Sequence, residues 1–162
     1  MRTLLIVLTI PLFVSFLGFD EGFRLMKYKN FYISRQPTKE DVSHFKNKKI
    51  DLVINVRSRE EMKSVEPFDF AKYGAQTEII RPILQNGEFS VASYASIENA
   101  IEKYKGKNIL IFCSSGNRAA ATLAIYLNKK QGMAPQKAVD TVIPVGLTKS
   151  GLREKLLEFL RK

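Results

Sequence analysis

The spacing of hydrophobic and polar positions divides this chain into short apolar runs and longer segments with helical periodicity. Tyr28 to Arg35 (YKNFYISR) is aromatic and β-branched and predicts a strand, broken by Gln36-Pro37-Thr38. Thr38 predicts a helix cap, with Asp41 three residues on to satisfy first-turn amides and Val42 and Phe45 on one face. Asp51 to Val56 (DLVINV) is nearly continuous in apolar residues, the pattern of a strand covered on both faces in a parallel sheet. Arg57 to Glu66 is charged and predicts a loop or short helix. Gln76 to Arg81 predicts another strand, ended by Pro82, and Ile83 to Ser90 reads as a loop.

Ala92 to Tyr104 places Tyr94, Ile97, Ala100, Ile101 and Tyr104 on one side of a helix. Asn108 to Cys113 (NILIFC) is the strongest strand pattern in the chain. An alanine- and leucine-rich helix follows from Arg118 to Gln131, stopping at Gly132, and two shorter helices are expected at 134–143 and 149–160. Strands alternating with helices predict an α/β fold with a mostly parallel central sheet flanked by helices. Neither an internal repeat nor a linker interrupts it.

Residues 1–20 follow a different rule. Arg2 precedes an apolar run from Leu4 to Phe19, broken only by Thr9, Pro11, Ser15 and Gly18. A basic start and an apolar run of this length read as an export signal or an N-terminal anchor, which predicts a periplasmic, secreted or membrane-associated protein with one domain over 21–162. The small residues are badly spaced for cleavage. Arg2 and Asp20 cancel, so the formal net charge of +10 falls entirely on residues 21–162. That excess favours anionic partners. With 45% hydrophobic residues the chain can bury a core, which rules out global disorder. One cysteine excludes an internal disulfide, and one histidine beside it excludes a His/Cys-rich zinc site. No metal-ligand spacing and no cofactor motif is present, and no nucleic-acid motif accompanies the lysines at 46, 48, 49, 103, 105 and 107, which read as solvated faces.

The segment with chemistry is Ile109-Leu-Ile-Phe-Cys113-Ser-Ser-Gly116-Asn-Arg118. A cysteine ends a buried strand, a loop of small residues follows, and an arginine opens a helix. Strand ends of an α/β sheet face the ligand crevice. A tight turn over Ser114, Ser115, Gly116 and Asn117 can aim successive amides at an anion, and the following helix adds its N-terminal dipole. Gly116 permits backbone angles that other residues resist, and Asn117 tolerates an unusual backbone conformation. Arg118 offers a planar fork for two phosphate oxygens. The same field favours a thiolate at Cys113, a nucleophile beside a bound oxyanion. Arg57, on a strand parallel to the cysteine strand, is expected to approach this anion site or to pair with Glu60. His44 reads as a surface residue.

The Cys-to-Arg loop resembles two cysteine-dependent families, the tyrosine and dual-specificity phosphatases and the rhodanese sulfurtransferases. Its four intervening residues match the rhodanese spacing. The upstream segments Tyr32-Ile-Ser-Arg-Gln36-Pro37 and Asp51-Leu-Val-Ile-Asn55-Val-Arg57 resemble instead the beta-lactamase-hydrolase-like branch of the dual-specificity-phosphatase-like domains, over about Phe31 to Leu147. That resemblance implies hydrolysis of a phosphoester, on a phosphorylated small molecule or protein, through a phosphocysteine on Cys113 with Arg118 holding the oxygens. Three departures stand against it. Phe112 occupies the place of the usual histidine, and Ala119 that of the usual Ser or Thr. The 82–90 loop offers only Glu88 as general acid. Persulfide sulfur transfer and oxyanion binding without turnover therefore remain open alternatives.

Overall fold

The computed structural model describes residues 22–162, so the proposed signal or anchor lies outside the described residues. A five-stranded sheet has the order β1 (Met26–Tyr28), β2 (Phe31–Arg35), β7 (Asn108–Cys113), β3 (Ile50–Asn55), β4 (Thr77–Ile80). Of its four pairings, three are parallel and the edge pairing of β1 with β2 is antiparallel. The expected architecture, a mostly parallel sheet flanked by helices, is the one observed.

The apolar runs explain the layering. In β7, Ile109, Ile111 and Cys113 point to one face and Leu110 and Phe112 to the other, as the two-residue period of a strand requires. The first face is covered by α3 (Val91–Lys103), α4 (Asn117–Lys129), α5 (Pro135–Val142) and α6 (Ser150–Arg161). Among the described residues, the second carries no long helix. It is closed by an aromatic layer in which Phe45, Phe68 and Phe70 meet one another and Phe70 meets Phe112 at 5.4 Å. Among the described residues, no helix is long and apolar enough to cross a membrane.

Three elements differ from the sequence reading. The single strand expected at 28–35 is a hairpin, because Lys29 takes a left-handed conformation (φ 52°) and turns the chain between β1 and β2. The helix expected after Thr38 is a single 3-10 turn followed by α1 (Val42–Phe45). Asp41 does accept from the Thr38 amide at 2.7 Å, but its carboxylate is shared with Arg35, which ties the segment to β2. The loop at 83–90 contains a small hairpin, β5 (Leu84–Gln85) and β6 (Glu88–Phe89), turning through left-handed Asn86 and Gly87. A short helix, α2 (Arg59–Met62), lies within the charged stretch after β3.

Candidate active site

Parallel pairing brings three strand ends together. Arg35 of β2 registers with Cys113 of β7, and Asn55 of β3 with Phe112, so the segments after all three strands emerge at one end of the sheet. The central strand places Cys113 there, fully buried and with a free thiol.

The loop after it folds back on the sulfur. The amide of Gly116 donates to Cys113 Sγ at 3.1 Å. Gly116 stands at φ 89°, a left-handed conformation that a side chain would strain, and its backbone packs against Ser34 of β2. Residues 117–129 then form α4, which begins directly at this turn with Gly116 as its N-cap.

Asn117 departs from its expected role. It is the first helical residue, and the unusual backbone conformation belongs to Gly116 before it. Its carboxamide oxygen instead accepts from the amides of Thr148 at 2.8 Å and Lys149 at 2.9 Å, linking the loop to the start of α6.

Arg118 is fixed by a residue that the sequence reading missed. Its two terminal nitrogens donate to both carboxylate oxygens of Glu61, at 2.8 and 2.6 Å, and Nη2 also reaches Ser114 Oγ at 3.1 Å. Glu61 is itself held. It closes a capping box at the start of α2, where its carboxylate accepts from the Ser58 amide at 2.9 Å and its own amide donates to Ser58 Oγ at 3.1 Å. The Arg118 guanidinium is the main cause that draws the Glu61 carboxyl down to about 2 from an ordinary 4.5. In turn Glu61 raises Arg118 further above its usual value. A Ser-x-x-Glu spacing at 58–61 was visible in the sequence and marks such a box.

Arg57 does not pair with Glu60, which bonds Lys63 at 2.8 Å. It is buried, donating to Gln36 Oε1 at 3.0 Å and to the Glu61 carbonyl at 2.9 Å. Arg57 thus joins the Gln-Pro segment after β2 to the helix that carries Glu61, and its charge reaches the site through that carboxylate. His44 is exposed, with its ring 5.0 Å from Phe23.

The three departures have distinct physical settings. Phe112 faces the aromatic layer, on the side of the sheet opposite Cys113. Ala119 is fully buried and brings no hydroxyl to the sulfur. Glu88 is 77% exposed on β6 and pairs with Lys155 of α6 at 3.2 Å. Among the described residues, Glu61 is the one carboxylate hydrogen-bonded to the cysteine loop, and a group so acidic carries no proton to donate near neutral pH. Among the described residues, no cluster of His, Cys, Asp and Glu could hold a metal ion.

No protein-family model matches the chain, and no curated protein matches it. Solved structures do. The crystal structure of Tk-PTP in its active form is similar with a TM-score of 0.66 at 20% identity, over 87% of this chain and 97% of that one. PTPMT1 in complex with PI(5)P gives 0.64 at 18% identity, over 81% and 90%. TpbA of P. aeruginosa gives 0.60 at 16% identity, over 83% and 80%. The chain therefore has a protein-tyrosine-phosphatase-like fold.

Proposed function

We propose that the protein is a cysteine-dependent phosphatase that hydrolyses a phosphoester of a small molecule or protein. One observation carries this reading: the Gly116 amide, at the N-cap of α4, donates to Cys113 Sγ while Arg118 is held in a two-point clamp at the same loop. That arrangement supplies a nucleophile and an oxyanion cradle together. Sγ would attack phosphorus, the bond to the leaving oxygen would break, and the loop amides with Arg118 would hold the three equatorial oxygens. Water would then displace the phosphoryl group from sulfur. The dual-specificity-like branch is supported by the Gln36-Pro37 and Arg57 segments, which the fold joins through the Gln36–Arg57 hydrogen bond. The structural neighbours named above support the phosphatase reading through their fold.

The arrangement around the leaving group favours substrates that need little protonation. Glu61 is ionised and committed to Arg118, and Glu88 is committed to Lys155. Aryl phosphates, whose leaving oxygen is a weak base, fit this site better than alkyl phosphates.

The test is phosphate release from an aryl phosphate by the full chain. Cys113→Ser is expected to lower kcat at least about a thousandfold, the scale on which loss of a nucleophile is felt. Equal rates in the two proteins would overturn the reading. Oxyanion binding without any turnover would point to a binding module, and added sulfur on Cys113 after thiosulfate exposure to sulfur transfer.

A further inference from the structure

Glu61 fixes the Arg118 fork through both carboxylate oxygens. Its negative charge also cancels that of Arg118, so the pair by itself offers an arriving anion no net charge. The residue that offsets Glu61 is Arg57. Its Nε lies 3.8 Å from Glu61 Oε1, the same oxygen that accepts from Arg118 Nη2 at 2.6 Å. Among the described residues, Arg57 has no other carboxylate partner. Its side chain is only 10% exposed. Nη1 donates to Gln36 Oε1 at 3.0 Å and Nη2 to the Glu61 carbonyl at 2.9 Å. Nε, also buried, has no hydrogen-bond partner among the described residues. Burying a guanidinium costs much desolvation, and an uncharged donor would bridge the same two neutral oxygens without it. The positive charge itself therefore needs a partner, and that partner is shared with Arg118. Two guanidinium groups and one carboxylate leave one net positive charge on this cluster, which meets the cysteine loop where Arg118 Nη2 reaches Ser114 Oγ.

The length of α2 adds a second reason. A helix of four residues is too short to hold itself in place. Arg57 binds the main chain of Glu61 while the Glu61 side chain binds Arg118, so one residue sets both the place and the charge of the clamp. We infer that Arg57 is a positioning residue of the oxyanion site, acting through Glu61 and not by touching the anion. It offsets the Glu61 charge and holds that residue's main chain, which leaves the positive charge of Arg118 for the ligand. The inference rests on the oxyanion reading of the Cys113 loop given above and adds a residue to it.

The experiment measures orthophosphate binding by calorimetry at fixed salt and pH, in the full chain carrying Cys113→Ser so that no thiolate opposes the anion. Adding Arg57→Met, which removes the charge at similar volume, is expected to weaken binding about tenfold, the scale of one unit charge several ångströms away in a protein-like dielectric. Adding Glu61→Gln to that variant is expected to recover most of the loss, because cation and countercharge are then removed together. Met at position 57 has already freed the Glu61 main chain, so charge is what the second substitution changes. A purely structural Arg57 predicts a double variant no better than the single one, and that result overturns the inference. Arg57→Lys keeps the charge, and its affinity should stay within about threefold of the parent, whereas a loss of about tenfold overturns the inference. This variant decides alone if thermal denaturation shows that the Met variant does not fold. Orthophosphate is not turned over, so the phosphatase reading is tested apart from it, by aryl phosphate hydrolysis. Binding without hydrolysis in the unmodified chain overturns that reading alone, and no orthophosphate binding in the parent overturns the oxyanion site and this inference with it.

Discussion

Two loops follow strand ends of this sheet and are held in opposite ways. After β7, each functional group of the Cys113 loop is tied to another element: Gly116 to the sulfur, Asn117 to Thr148 and Lys149, Arg118 to Glu61. After β4, the 83–90 segment closes on itself as a hairpin, with the Ser90 amide donating to the Ile83 carbonyl at 2.9 Å, and its one carboxylate points to a lysine on α6. On the proposed phosphatase reading, the first loop is built around charge that arrives with a ligand. The second neutralises its own charge. On that reading, holding an oxyanion and protonating a leaving group are separable tasks, and the described residues provide for the first far more fully than the second.

The comparison can be broken at either loop. The largest effect is expected at Arg118. Arg118→Lys keeps the charge but loses the planar fork, and aryl phosphate hydrolysis should fall about 100- to 1000-fold, as for removal of an oxyanion donor. Steady-state kinetics would check this, and a change below about threefold would mean that Arg118 does not hold the oxyanion.

A middle-sized effect is expected one residue further back. Glu61→Gln leaves the capping box in place but weakens the grip on Arg118, and kcat/KM should fall about tenfold, the order of one charge-assisted hydrogen bond. The same variant has a pH signature. The folded-state value of Glu61, about 2, lies below its ordinary 4.5. The pairing therefore contributes its full stability above about pH 4.5, and that contribution is lost as pH falls towards 2. Between about pH 5 and pH 3, the parent's denaturation midpoint should drop more than that of the Gln variant. Parallel curves would remove Glu61 from the acid response.

The smallest effect belongs to the hairpin. Glu88→Gln should change aryl phosphate hydrolysis by less than about twofold, since the pair with Lys155 is exposed and such pairs contribute little. A loss of about 100-fold, on the scale of a general acid, would show that the hairpin moves over the site when substrate binds and would overturn the contrast.

The strands and long helices were legible because each carries its own period. DLVINV and NILIFC are continuous apolar runs, and the helix at 91–103 buries Tyr94, Ile97 and Ile101 as its spacing requires. Lys29 escaped because a lysine does not advertise a left-handed turn, so β1 and β2 read as one strand. At the candidate site, Cys113, Gly116 and Arg118 were legible together because one short segment, 113–118, carries all three. Glu61 was not, since its partner lies 57 residues away and only the parallel pairing of β3 and β7 brings them together. Asn117 was assigned a local role for the same reason: its partners, 31 and 32 residues on, belong to another element.

The bonds from Asn117 to Thr148 and Lys149 also set a clock. Asn117, at the start of α4, is held by amides just before α6, while Cys113 lies on the central strand. During vectorial synthesis the strand, the loop and α4 leave the ribosome well before α6 does. Until α6 docks, Asn117 lacks the two amides that its carboxamide accepts from, and the start of α4 is not yet tied to that part of the fold.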